Sequence, residues 1–199
     1  MTFTMDLELP CVELARRLLG KIICRKIAGQ VLKGMIVETE AYLGPHDKAC
    51  HTYGGRRTTR NEAMYMKAGT CYVYIVYGMH QCFNISSIEE GAAVLVRAIE
   101  PLDGVELMRR HRKRTDKSVK DIANGPSKLC VAMGIAKHDI NKEDIVISSK
   151  IWLEEGRMVE DREIATSKRI GLRNAGSWGE KQLRFYIRDS EFVSCRKKS

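Results

Sequence analysis

Residues 36–42 read IVETEAY and place two glutamates and a tyrosine at alternate positions. In an extended strand alternate side chains share a face, so Glu38, Glu40 and Tyr42 stand together, with Val37, Thr39 and Ala41 behind them. Two carboxylates beside a phenol are the components of acid–base chemistry. The same pattern also describes a solvated strand face, and the residues alone leave both readings open. A few positions on, GPHDKACH supplies His46, Asp47, Cys50 and His51. Together with a glutamate these are zinc-ligand types, but the spacing follows neither paired C-x-x-C nor H-E-x-x-H, so no metal is expected. GPSK, residues 125–128, puts Gly125, Pro126 and Ser127 at a helix start with Lys128 alongside. Open amides there attract anions, and an ordinary capped helix with a surface lysine fits as well. RRHRKR, residues 109–114, is the densest charge run: a solvated helix face, or a non-specific DNA-backbone contact.

TCYVYIVYGMHQCFN, residues 70–84, holds three of the seven tyrosines within six positions. Tyr72 and Tyr74 share a strand face. Tyr77 breaks that period and precedes Gly78, where a turn is expected, so it has little access to a core and can project as a wedge. Core packing and a stacking platform for a flat ligand are the two readings.

These residues ride on a chain of 199 residues, the size of one domain, with no repeat and no low-complexity tract. CVELARRLLG after Pro10 reads as a short helix stopped at Gly20, and residues 21–42 as two strands around a turn at Ala28-Gly29-Gln30. A glycine- and arginine-rich loop follows. Strands flank Gly78, another runs through AAVLVRAIEP, and helices are expected over LDGVELMRRHRKR and GPSKLCVAMGI. KIWLEEG and LRFYIRDSEFVS add short strands, and CRKKS reads as a frayed basic tail. Strands that succeed one another without intervening helices predict an antiparallel sheet with peripheral helices. Lys plus Arg number 34 against 25 Asp plus Glu, a net charge of +9 that suits a polyanionic partner. No apolar run approaches the roughly 20 residues of a membrane span, and MTFTMDLELP has no secretory-leader pattern. The seven cysteines show no C-x-x-C pair, which suits buried thiols in a reducing compartment.

VETEAYLGPHDKACH, GGRRTTRN, YVYIVYGMHQCFNIS, VLVRAIEPL and NGPSKLC together resemble the alkyladenine DNA glycosylase (3-methyladenine DNA glycosylase) family, in its order and spacing, over nearly the whole chain. The resemblance implies one α+β domain spanning 1–199: a curved antiparallel β-sheet core, peripheral helices and a protruding hairpin that inserts into DNA. It implies a monofunctional glycosylase of base excision repair. Such an enzyme flips 3-methyladenine, 7-methylguanine, hypoxanthine or ethenoadenine out of duplex DNA and hydrolyses the N-glycosidic bond, leaving an abasic site. Glu40 then matches the general base, with Arg97 and the backbone carbonyl of Ile170 helping to hold the attacking water. Tyr42, His51 and Tyr74 match the walls around the extruded base, and Asn84 the residue that screens out guanine. Tyr72 is left as structural. Tyr77 matches the wedge, Met79 lies beside it, and Arg56, Thr58, Ser127 and Lys128 match backbone or groove contacts. No cofactor is implied. The implied partner is damaged double-stranded DNA, bound by a monomer without membrane attachment and handed on to abasic-site repair enzymes. The compartment would be the nucleus of a eukaryote, or otherwise the cytoplasm and nucleoid. His80-Gln81 depart from the aromatic residues common after YGM in mammalian members, and Thr59 departs from TPRN. Two rival readings remain at this level: a module that stacks single-stranded nucleic acid without chemistry, and a zinc-dependent nucleotide hydrolase using His46, His51 and Glu40.

Overall fold

In the computed structural model, residues 6–113, 118–172 and 174–195 are described. The fold is organised on β2 (Gln30–Tyr42), its longest strand. The first half of β2 pairs antiparallel with β1 (Ile22–Ile27) across Ala28–Gly29, both in the left-handed region (φ 47° and 81°). Two left-handed residues in a tight turn match the twist of the flanking strands. The other edge of β2 pairs with β5 (Ala93–Asp103). Beyond the reach of β1, residues Glu38–Glu40 pair with β8 (Arg184–Ile187). β3 (Cys71–Val76) and β4 (His80–Ser86) extend the sheet past β5, β6 (Ile151–Glu154) lies outside β1, and β7 (Ile164–Ser167) lies outside β8. Every pairing is antiparallel, and the sheet curls into a half-barrel, the α+β architecture expected from the sequence. β7 is the strand the sequence reading did not single out; IATS is short and half polar.

One face of the sheet carries the main core. Val73, Phe83, Ile85, Val94, Val96 and Ala98 pack with residues of α1 (Cys11–Arg17), α2 (Val105–Arg112) and α3 (Pro126–Ala132). The opposite face carries a smaller cluster around Tyr72, Cys50, Met64 and Ala93, flanked by Tyr42 and Tyr74. Strand β2 is covered on both faces from Val37 to Ala41, so the glutamates do not form a solvated face. The basic run on α2 also turns partly inward. Arg112 donates from Nε to the Ile122 carbonyl, His111 from Nδ1 to the Ala132 carbonyl, and Arg109 pairs with Glu106. Arg110 and Lys113 stay exposed; Arg114 and residues 196–199 of the basic tail lie outside the described residues. Six cysteines are buried, Cys195 is exposed, and none forms a disulfide. Burial pushes the Cys11 and Cys24 thiols up to about 12.

A fully buried ion pair joins the loop after β2 to the segment after β7. Arg169 Nη1 and Nη2 donate to the Asp47 carboxylate at 2.5 and 2.9 Å, and neither side chain has any exposure. Asp47 also accepts the backbone amides of Leu43 and Ala49, while Arg169 reaches the carbonyls of Ala41 and Trp178. Removing one charge from such a pair strands the other in a medium that cannot solvate it. Asp47→Asn is therefore expected to lower unfolding free energy by about 3–5 kcal/mol in urea denaturation. A loss below about 1 kcal/mol would show that the pair does not hold these segments together.

Candidate active site

Glu40 is wholly buried on the second half of β2, and its carboxylate is held from three directions. The Ile170 amide donates to Oε1 at 2.7 Å, Arg97 Nη1 pairs with Oε1 at 3.2 Å, and the Tyr42 hydroxyl donates to Oε2 at 2.8 Å. The expectation placed the Ile170 carbonyl near the reacting water; the group that touches Glu40 is its N–H. Arg97 arrives from β5 at an irregularity of the ladder. Ile36 lies opposite Ile99 and Thr39 opposite Val96, but between them Glu38 lies opposite Ala98, so the register slips and returns. Such slips bend the strand locally and re-aim a side chain. Burial alone would weaken Arg97's hold on its proton; the facing Glu40 and Glu38 carboxylates outweigh that and raise it. Glu38, also fully buried, accepts from Arg97 Nε at 2.9 Å and Arg184 Nε at 2.6 Å.

Beside this network lies a cavity of about 140 Å³ lined by Tyr42, His51, Tyr72, Tyr74 and Asn84, with Met64 and Leu172 also on its wall. Glu40 is not on its wall; Tyr42 is, and links the two through its hydroxyl. Burial, followed by the nearby Glu40 charge, raises the Tyr42 phenol well above the ordinary range, so it acts as a neutral donor. The Arg169 guanidinium stacks 4.6 Å from the Tyr42 ring centre. His51 is exposed on its outer side. Its inner edge meets Tyr74 with ring centres 4.5 Å apart at 83°, and its Nδ1 shares a 2.8 Å hydrogen bond with the Tyr72 hydroxyl. Burial of that edge, with Arg60 nearby, lowers the proton affinity of His51 and favours the neutral ring. Tyr72 is buried, and besides lining the cavity it fixes the ring of His51. Asn84 Nδ2 donates to the Tyr72 carbonyl at 3.0 Å and more distantly to that of Cys82, which fixes its carboxamide against the cavity.

Tyr77 and Gly78 are consecutive left-handed residues (φ 50° and 73°) in the turn between β3 and β4, closed by Met79 N–H to the Val76 carbonyl at 3.2 Å. Tyr77 is 90% exposed and Met79 73%. A tyrosine in the left-handed region costs about 1–2 kcal/mol, and at this exposure packing does not offset it. The departures His80 and Gln81 moor this turn: His80 Nδ1 lies 3.1 Å from Ser127 Oγ, and Gln81 Oε1 accepts the Lys137 amide at the start of α4 (Lys137–Ile140). Lys128 donates to Asn124 on the same side. Arg56 and Thr58, with Arg60 and Asn61, line a second cavity of about 130 Å³ that shares His51 with the first. Thr59 is exposed in that loop.

The residues considered for zinc are not brought together. Asp47 belongs to Arg169, His51 to Tyr72, and Cys50 Sγ lies 3.1 Å from Thr52 Oγ. Among the described residues no three His, Cys, Asp or Glu side chains form a metal-holding group. The sequence reading missed Arg184, Ser194, Arg169 and Leu172. Only Arg184 carried a signal, as a lone charge beginning the apolar run RFYI.

A family model described as methylpurine-DNA glycosylase matches residues 5–191. The probable DNA-3-methyladenine glycosylase of Encephalitozoon cuniculi (strain GB-M1) is 68% identical over 191 residues, covering 96% of this chain and 91% of the relative. A putative 3-methyladenine DNA glycosylase of Clostridium perfringens (strain SM101 / Type A) is 48% identical over 189 residues, 90% of this chain and 92% of the relative. The DNA-3-methyladenine glycosylase of Homo sapiens is 46% identical over 194 residues, 93% of this chain; the chain spans 65% of that relative's length. With matches that run through β2, the aromatic cavity, β5 and β8 alike, the chain belongs to the methylpurine-DNA glycosylase family.

Proposed function

We propose that this chain excises alkylated and deaminated purines from duplex DNA by flipping them into the Tyr42–His51–Tyr74 cavity and hydrolysing the N-glycosidic bond with water activated by Glu40. As a family member it is a DNA-repair glycosylase. The observation that carries the reading is the buried Glu40 carboxylate directly behind an aromatic cavity. An ionised carboxylate offers about four acceptor sites, and three are occupied by Ile170, Arg97 and Tyr42, which leaves one for a water. A base inside the stack is out of reach, so it must rotate out, at a cost of a few kcal/mol that is lowest for damaged or mispaired bases. Tyr77, already extended, would enter the gap and offset part of that cost.

Alkylation at purine N3 or N7 makes the base cationic. The faces of Tyr42 and Tyr74 and a neutral His51 favour such a cation over an ordinary purine. The C1′–N bond then breaks with its electron pair going to the base: a cationic base leaves neutral, and a neutral lesion such as hypoxanthine leaves neutral once it has taken up a proton from solvent. Positive charge develops on the sugar, Glu40 stabilises it, water oxygen bonds to C1′, and Glu40 takes the water proton. Arg97 and Ile170 hold the carboxylate in place. The pocket residues include no lysine to form a Schiff base, so the product is an intact strand with an abasic site. Arg56, Thr58 and Met79 are exposed, and Ser127 and Lys128 half-buried, around cavity and turn, where a phosphate backbone would pass.

Duplexes carrying one defined lesion each are expected to yield alkali-labile abasic sites; none from any lesion would sink the reading. Glu40→Gln should slow single-turnover excision by about two orders of magnitude or more while lesion binding stays near normal. Glu38→Gln should retain more activity. Near-normal cleavage by Glu40→Gln would refute the assigned base.

Tyr77→Asn should act in opposite directions on fold and function. Asparagine tolerates the left-handed turn, so stability should hold or rise by up to about 1 kcal/mol. Ethenoadenine fluorescence, which reports extrusion, should show a smaller flipped fraction. An unchanged fraction would remove Tyr77 from the role of wedge. Asn84→Ser should raise activity on guanine relative to hypoxanthine, because guanine differs from hypoxanthine by the 2-amino group that the fixed carboxamide would obstruct. A proportional decline on every substrate would place Asn84 in a purely structural role.

A further inference from the structure

The reaction above has no use for Glu38, yet Glu38 is the more heavily bonded of the two glutamates. Its Oε1 accepts from Arg97 Nε, Arg184 Nε and Ser194 Oγ at 2.9, 2.6 and 2.8 Å, and its Oε2 accepts the Ser194 amide at 2.6 Å. Arg97 is a planar fork, so the bond at Nε sets where the two terminal nitrogens point. Nη1 meets Glu40, and Nη2 lies 3.5 Å from Ser194 Oγ. Two of the three anchors of this fork therefore belong to Glu38 and to the residue bonded to it. Arg184 extends the same hub. Its Nη1 donates to Ser167 Oγ at 2.9 Å and its Nη2 to the Cys195 carbonyl. Ser167 ends β7, three residues before the Ile170 amide that holds Glu40. Without the Glu38 charge, Arg184 would lose the carboxylate it pairs with and Arg97 would keep only Glu40.

We propose that Glu38, together with the Ser194–Cys195 segment, is a positioning residue for excision, fixing Arg97 so that its Nη1 is presented to Glu40. The segment after β8 is thereby part of the catalytic apparatus, although it touches no substrate. The inference rests on the excision activity proposed above.

The test compares single-turnover excision of hypoxanthine from a duplex by wild type, Glu38→Gln, Ser194→Ala, Glu40→Gln and the double variant Glu38→Gln/Glu40→Gln, with duplex affinity and melting temperature measured for each. Wild type releasing no base from any lesion duplex would overturn the functional reading itself, and this inference with it. Given wild-type activity, Glu38→Gln should be slower by about tenfold or more, with affinity within about twofold, the scale of losing a group that orients a reacting one. Ser194→Ala should show the same split with a smaller loss. In the Glu40→Gln background the further loss from Glu38→Gln should shrink to less than about twofold, because residues acting through one another are not additive. Unchanged excision by Glu38→Gln, or an equal loss in both backgrounds, would overturn the inference. If Glu38→Gln does not fold, Ser194→Ala takes its place: a loss that shrinks in Ser194→Ala/Glu40→Gln supports the inference, and no loss, or an equal loss in both backgrounds, overturns it.

Discussion

Four buried charges hold this molecule's centre: Glu38 and Glu40 on β2, Arg97 on β5 and Arg184 on β8. Two carboxylates and two guanidinium groups balance in sum, but burial makes each depend on its immediate partners. That constraint fixes the strand arrangement. β2 must pair with β5 on one edge and exchange β1 for β8 on the other at the glutamates themselves, because the arginines arrive from β5 and β8. It also draws Ser194 and the Ile170 amide inward, each to a carboxylate oxygen.

Much of this was legible in the sequence, and the limits have a physical cause. Alternation along VETEAY correctly placed Glu38, Glu40 and Tyr42 on one face, since their neighbours Thr39 and Ala41 turn the other way, with Thr39 donating to the Ala15 carbonyl of α1. The turn at Gly78 was legible because glycine and a broken strand period coincide. What alternation does not report is whether a face meets water. That is settled by Arg97, Arg184 and Ser194, the last 156 residues away from Glu38. The Asp47–Arg169 pair was hidden for the same reason, across 122 residues. RRHRKR misled in part because a charge run says nothing of nearby carbonyls, and Arg112 and His111 turn toward two of them.

The aromatic residues divide by how firmly they are held. Tyr42 is gripped by Glu40 on its hydroxyl and Arg169 on its ring. His51 is fixed by Tyr72, and Tyr74 packs against both. A cavity walled this way is shaped before any ligand arrives, so little ordering entropy is lost on binding. Tyr77 is the opposite case, in an unfavourable backbone conformation with its ring in solvent.

This contrast sets how the molecule responds to partial loss of structure. Glu38 and Glu40 ride on a strand paired along both edges and covered on both faces, the kind of element that opens only when the whole domain does. The Tyr77 turn ends a hairpin whose outer strand is exposed at Ile75; His80 and Gln81 moor its returning strand, but among the described residues Tyr77 and Gly78 themselves are held only by the closing Met79–Val76 contact. Amide exchange would accordingly be slow at β2 and fast at the turn. Heat or denaturant short of global melting would loosen the exposed turn while leaving the geometry around Glu40 intact. A protein warmed into that range would keep its buried charges in register while Tyr77 lost its fixed position.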